Sequence, residues 1–320
     1  MKKICAFSLL MLCFFIWADP ARAAVIAPGN MLSAQAQEEQ PIKLSATLYF
    51  RYRSTGYLAR ETRELSVSRT ISDELALINA LVEGPGSLSP QLSPLFPAGT
   101  QALSTAVEGE TLFVTFNEQL LGRYADEAVI FSTDYSQGEG RLRRRLAMAA
   151  LVNTLTESGL YSRVQVLVRQ ESYITSSMRL SMRYYLMEDD NLPPPLTRQE
   201  IYILTPQVSA QIFLDGWRSG DIASGLRMVR GSDSRALAAI PSEYELRQMM
   251  DQAPRLADFA ATPGSIALDG QSAVVSVSLH LLRDDGSERM VENKPLRMIQ
   301  REGIYVIPYE SFEGLLEAVK

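Results

Sequence analysis

The chain has 320 residues, 46% hydrophobic and 21% charged, a balance that excludes a wholly disordered protein and allows two domains. Its formal net charge of −6 argues against nonspecific nucleic-acid binding, which needs a basic face to displace counterions. The first element is a leader. Lys2 and Lys3 precede an apolar run over residues 4–18, short for a membrane span, and Ala21-Arg22-Ala23 offers the small residues a signal peptidase requires. Residues 1–23 therefore read as a signal peptide cut after Ala23; Ala34-Gln35-Ala36 is a secondary site, and an uncleaved anchor is the alternative. Removing the leader shifts the net charge to about −8. Both cysteines, Cys5 and Cys13, leave with it, so the mature chain has no disulfide, thiol chemistry or cysteine metal site. Cys13 is a poor lipidation site, because the apolar run continues past it to Trp17. The expected location is extracytoplasmic, secreted or associated with the cell envelope.

Residues 24–41 are small and polar and read as a flexible tether. Residues 44–53 alternate and are rich in β-formers; 60–69 form a second extended segment. Ser72 is placed to cap a helix whose apolar face is Leu75, Ile78, Ala80, Leu81 and Val82. Gly84-Pro85-Gly86 stops that helix. Phe96-Pro97-Ala98-Gly99-Thr100 then leads into two strands, near residues 101–107 and 111–116, joined across Glu108-Gly109-Glu110. Residues 117–140 read as a partly ordered excursion ending in a loop over 134–140. The strongest helix follows over 141–158, ended by Gly159. Residues 161–169 alternate with Val164, Val166 and Val168 inward, and 173–187 read as one more strand.

Residues 188–200, with an acidic run and Pro193-Pro194-Pro195, mark a semi-rigid linker between a domain at 42–187 and another at 201–320. Beyond it, helices are expected at 206–219, with Val208, Ile212, Phe213 and Trp217 as the core side, at 221–229, and at 242–250, where Ser242 and Glu245 have capping-box spacing. Strands follow at 264–268, 273–282, 288–298 and 303–308. The fold class is thus α+β: a mixed α/β sandwich, then a second domain of helices followed by an antiparallel sheet curved as a cone.

Few residues invite chemistry. The one histidine, His280, shares the more polar parity of its strand with Ser276 and Ser278 and reads as solvent-facing; a general base there would need a placed partner. With one histidine and no mature cysteine, structural zinc is excluded, and neither a nucleophile elbow nor a phosphate loop occurs. Asp189-Asp190 and Asp284-Asp285 fall in a linker and a turn. No catalytic residue, cofactor or metal is expected. The run Arg141, Arg143, Arg144 and Arg145 carries more weight. At a helix start it would oppose the dipole unless an anionic surface met it, such as a partner's acidic face, anionic lipid or a wall polymer. The plain alternative is a solvated edge balanced by Asp126, Glu127 and Glu139.

The first domain resembles the GerMN domain of spore-formation and germination proteins. The resemblance rests on Leu48-Tyr49-Phe50, Glu64-Leu65, Ala80-Leu81-Val82-Glu83-Gly84-Pro85, Leu95-Phe96-Pro97-Ala98-Gly99-Thr100, Val114-Thr115-Phe116-Asn117, Ala150-Leu151-Val152-Asn153-Thr154-Leu155-Thr156 and Val164 to Val168. It implies a non-enzymatic envelope module similar to ring-building domains, assembling with envelope proteins. The second half does not repeat the first. Its order of elements is similar to nuclear-transport-factor-like domains, which implies a cone that either holds a small ligand as a sensor or carries out proton transfer at His280.

Overall fold

In the computed structural model the described residues are 41–126, 134–170, 176–230, 241–283 and 285–320, with the backbone alone for 134–137. The leader, its cut sites and the tether up to residue 40 lie outside them, as do Glu127 and Asp284.

Strands β1 (Ile42–Tyr52) and β2 (Leu58–Val67) pair antiparallel in a register that sets Tyr49 opposite Arg60. The alternation expected over 44–53 does not hold through β1, whose residues from Leu48 to Tyr52 are all buried, whereas along β2, read only as extended, alternate residues turn outward. Helix α1 (Asp73–Glu83) is capped as expected, Ser72 accepting from the Leu75 N–H, and it buries Ile78, Ala80 and Leu81. Gly84 follows at φ 109, open to glycine and strained for other residues. The short β3 (Leu92–Ser93) completes a sheet of order β2-β1-β3.

Strands β4 (Ala102–Glu108) and β5 (Thr111–Asn117) form the expected hairpin, with Gly109 at φ 57 in the turn. Helix α2 (Asp134–Leu155) then crosses over to β6 (Arg163–Arg169), which lies parallel to β5. The inward set Val164, Val166 and Val168 is at most 2% exposed. Helix α2 begins at Asp134, two turns before the arginine run, where a loop was expected; its residues from Leu146 to Leu155 are all buried. A helix covered on every side lies between layers and not on a surface. The strand expected over 173–187 is instead a short edge strand β7 (Ser177–Arg179) and a 3-10 turn over Met182–Tyr185, with 171–175 outside the described residues. The second sheet has the order β4-β5-β6-β7.

The proline-rich segment is docked. Leu196 and Val164 exchange both backbone hydrogen bonds at 2.8 Å, and the Leu204 N–H reaches the Leu58 carbonyl at 2.8 Å. Pro41–Lys320 forms one compact unit. Past the prolines, α3 (Pro206–Ser219) has Thr205 as N-cap and Pro206 in its first turn, where a missing N–H costs nothing. Phe213 and Trp217 are buried, whereas Val208 and Ile212 are only partly so; Ala210 and Leu214 take the deep positions. Helix α4 (Ile222–Leu226) crosses close to α3. A β-carbon on Gly216 would lie 2.7 Å from the Gly225 nitrogen. After β8 (Val229–Arg230) comes α5 (Glu243–Asp251), whose capping box of Ser242 and Glu245 is formed.

The last sheet is built from β9 (Arg255–Ile266), β10 (Ser272–Leu282), β11 (Glu288–Arg301) and β12 (Ile304–Pro308), with β8 parallel to β12 at one edge. The strand expected at 264–268 in fact starts nine residues earlier. The order β8-β12-β11-β10-β9 leaves an open sheet with two edges among the described residues. Helix α6 (Tyr309–Val319), which was not expected, buries Phe312, Leu315, Leu316 and Val319 beside α3. Phe213 meets Phe312 edge-on at 5.9 Å, and Ala273, Val275, Val277, Leu279 and Leu281 of β10 supply the sheet's side of this core.

The β11–β12 turn presses on the first sheet. Gly303 has φ 79, and a β-carbon there would lie 1.7 Å from the Arg60 carbonyl oxygen. Gly303→Ala should therefore destabilise the chain by about 2 kcal/mol or more, combining left-handed strain with overpacking. A calorimetric or urea midpoint within about 0.5 kcal/mol of wild type, the spread of neutral surface changes, would show that this contact does not hold the two parts together.

Candidate functional site

Because α2 starts at Asp134, the four arginines lie in its interior and not at its positive end. The dipole argument for an anionic partner therefore fails, and the side chains divide into three roles. Arg143 bonds Asp126 (NH2 to Oδ2, 2.6 Å) and Glu139 one turn back (2.8 Å). Glu139 also receives both terminal nitrogens of Arg51, whose side chain is 6% exposed. Arg51 donates further to the carbonyls of Thr55 (2.8 Å) and Ser54 (3.0 Å), so the pair joins the β1–β2 turn to α2. The balancing acids expected from the sequence are thus Asp126 and Glu139. Burial works against ionising Glu139, but the bonds from Arg51 and Arg143 outweigh it and hold its carboxyl below the usual range. The hydrogen bond from Arg143 likewise lowers Asp126.

Arg144 is buried. It donates to the Gly122 carbonyl at 3.0 Å, and its guanidinium lies over the rings of Tyr124 (5.7 Å) and Tyr184 (5.3 Å). Arg141 and Arg145 face solvent. Arg144 also borders a cleft of about 260 Å³, lined on the polar side by Arg179, Ser181, Arg183 and Tyr184. No signal in the sequence joined Arg179 or Arg183 to the run, since they reach it only through the β6–β7 hairpin.

His280 is on the outer side of β10, as its parity implied. Its Nε2 lies 3.0 Å from Glu288 Oε2, and the opposite residues on the neighbouring strands are Asp258 and Met290. On the inner side of the same sheet Phe213, Trp217 and Leu279 are buried, packed into the core behind β10. Of the acidic pairs, Asp190 bonds Arg183 through both oxygens, Asp189 bonds Asn191, and Asp285 holds its turn through Ser287, while Asp284 lies outside the described residues. Among the described residues no group of three or more His, Cys, Asp or Glu is placed to hold a metal.

A second polar cluster joins the two halves. The Tyr49 hydroxyl donates to Glu157 at 2.8 Å and accepts from Arg60 at 2.9 Å and Arg198 at 3.0 Å. Both guanidinium groups lie over the Tyr49 ring, at 5.6 and 5.8 Å. Asn153 clamps the backbone of Gln199, accepting its N–H at 2.7 Å and donating to its carbonyl at 3.2 Å. Burial raises the Tyr49 hydroxyl above the usual tyrosine value. A fully bonded tyrosine of this kind is a joint and not a reactive group.

Residues 47–173 match the family model described as "Germane: Sporulation and spore germination". The N-terminal region, from β1 to just past β6, is thus matched by a sporulation and germination domain family. No curated protein matches the chain. Among solved structures, the tandem GerMN domains of the sporulation protein GerM from Bacillus subtilis align at 13% identity and a TM-score of 0.31, covering 83% of this chain and 62% of that one. The first GerMN domain of the same protein aligns at 14% identity and a TM-score of 0.27, covering 47% of this chain and 96% of that one. This chain thus spans 62% of the length of the tandem-domain structure. It is the family-model match, and not these superpositions, that bears on function.

Glu139→Gln should cost about 2–3 kcal/mol, because it leaves Arg51 buried with only carbonyl partners. The sign with pH follows from the lowered Glu139 carboxyl. Its stabilisation is complete above the unfolded glutamate value and is lost as pH falls through the depressed folded value. Denaturation of the two proteins at pH 7 and at pH 3 should show a difference that shrinks with acid. An equal difference at both pH values would contradict the Glu139 assignment.

Proposed function

We propose that this chain is a secreted or envelope-associated protein that works by assembling with other envelope proteins, in sporulation or spore germination, and performs no catalysis. The match of residues 47–173 to a sporulation and germination family carries the reading. The N-terminal sequence supports the location: Lys2 and Lys3, the apolar run over 4–18 and the small residues of Ala21-Arg22-Ala23 are those of an export signal. On this reading the mature chain consists of a tether over 24–41, a germination-type domain over 42–187, the linker over 188–200 and a nuclear-transport-factor-like domain over 201–320. Partner contacts, including a ring-like assembly, fall on the surface of the first domain. Arg141 and Arg145 are its best-placed contact residues within the run, because Arg143 and Arg144 are engaged inside the domain. An acidic partner face, anionic lipid or wall polymer would meet them.

The filled core behind β10 disfavours the alternative, in which the C-terminal domain senses a small ligand or catalyses proton transfer. The location is tested by N-terminal sequencing of the protein recovered from its own cells. It should begin at Ala24 and be protected from a protease only when the envelope is intact; a chain beginning at Met1 in the cytoplasmic fraction would reject it. For the contact residues, Arg141→Ala with Arg145→Ala should lower in-cell cross-linking to envelope partners by about tenfold at unchanged abundance, the scale of losing two charged contacts. Unchanged cross-linking removes these arginines from the interface.

A further inference from the structure

We propose that the cleft between α2, β7 and the Met182–Tyr185 turn binds a carboxylate carried on a small apolar group. Three arginines, Arg144, Arg179 and Arg183, line it, and no carboxylate does so among the described residues. Leu121, Val168, Met178 and Leu180 line it as well, so arginine side chains share the cleft with an apolar floor. Val168 and Leu180 are buried in the core, which makes the floor rigid, while Leu121 and Met178 remain 37% and 44% exposed. An apolar surface left open beside charged donors is what an amphipathic ligand needs.

The charge balance selects the head group. Arg183 is already matched by Asp190 through two bonds. Arg179 stands exposed at the rim with one nitrogen on the Pro193 carbonyl at 2.8 Å, leaving its other N–H groups directed by a fixed fork. A monoanion that accepts two parallel bonds therefore suits the site better than a phosphate dianion. Tyr184 lines the same cleft, and the Arg144 guanidinium lies over its ring at 5.3 Å. The volume, about 260 Å³, is below the range of drug-sized sites, and fits one aliphatic chain of a few carbons. Such a group is either a free short-chain acid or the last residue of a polypeptide with an aliphatic side chain. The site does not depend on the compartment in which the chain works or on its assembly partners.

Titration calorimetry on the full mature chain tests this with 4-methylpentanoate and its neutral amide, and with the tripeptide acetyl-Gly-Gly-Leu as acid and as amide. At least one acid should bind, with its amide about tenfold weaker or worse, the factor expected for replacing a charge-assisted pair. Binding of the free acid assigns the site to small acids; binding of the peptide acid alone assigns it to a chain end. Arg179→Ala with Arg183→Ala, both exposed positions, should remove this preference for acid over amide. Met178→Asp, which sets a like charge at the rim, should abolish acid binding while circular dichroism stays unchanged. The proposal is overturned if acid and amide bind alike, if neither acid binds, or if the double arginine variant retains wild-type affinity for the acid.

Discussion

The Tyr49 hydroxyl is the point on which the arrangement of the whole unit depends. A phenol can donate one hydrogen bond and accept two, and here all three are made, to Glu157, Arg60 and Arg198. Those partners come from the turn just past α2, from β2 and from the segment after the prolines. One buried atom thus couples the first sheet, the central helix and the entry to the C-terminal half. The backbone of the same residue is held as well, its N–H reaching Thr154 Oγ1 at 3.3 Å. Each bond contributes only about 1 kcal/mol net, but a buried network left partly unmade costs more than the sum of its bonds. This is why Asn153 and Thr154 can lie fully inside a helix that is otherwise apolar at that depth. Asn153 closes on Gln199 and Thr154 on Tyr49, so neither polar group is left without a partner.

The same logic explains Gly84-Pro85-Gly86. Glu61 is 8% exposed and accepts the Gly86 N–H with both oxygens, at 3.2 and 3.0 Å. Two residues along β2, on the same face, Arg63 donates to the last carbonyls of α1, at Ala80 (2.8 Å) and Gly84 (3.1 Å). The guanidinium sits at the negative end of the helix dipole and the carboxylate at the freed amide beyond it. Asn117 performs a similar task on the next turn, bonding the Gly99 carbonyl and the Gln101 N–H at 2.9 Å each. Among the residues that carry the resemblance, Asn117, Asn153 and Thr154 thus fasten backbone, bonding Gly99 and Gln101, Gln199, and Tyr49 respectively.

What the sequence made legible was whatever depends on local pattern. Alternation and β-forming residues gave β1, β6 and β10, and cap residues gave the starts of α1 and α5, because those signals are complete within a few residues. The first turns of α2 were not legible. Gly138 and Gly140 weigh against a helix, and the segment is held by Glu139 bonding Arg51, 88 residues away in the chain. The early start of β9 was hidden because its inward residues include alanine, and α6 because Pro308 gives it no side-chain cap. Its stripe of Phe312, Leu315, Leu316 and Val319 was nonetheless present at helical spacing. Of the site, the arginine run was visible but its division was not, since burial of Arg144 and pairing of Arg143 are tertiary facts.

That division bears on how such a domain can act. A guanidinium that is buried and stacked, as Arg144 is between Tyr124 and Tyr184, fixes its surroundings, whereas one at the surface is screened by salt and costs little to redirect. The interior polar groups of this chain hold its own backbone: Glu61 and Arg63 at the glycine turn, Asn153 and Tyr49 at the joint, Arg51 and Glu139 at the foot of α2. With those groups committed, the proposed recognition falls to what lies outside the networks: Arg141 and Arg145, which face solvent on α2, and the proposed carboxylate cleft beside β7. The cleft combines both kinds of residue, Val168 and Leu180 fixed by core packing and the exposed Arg179 and Arg183, and it lies beside β7, an edge strand of the second sheet.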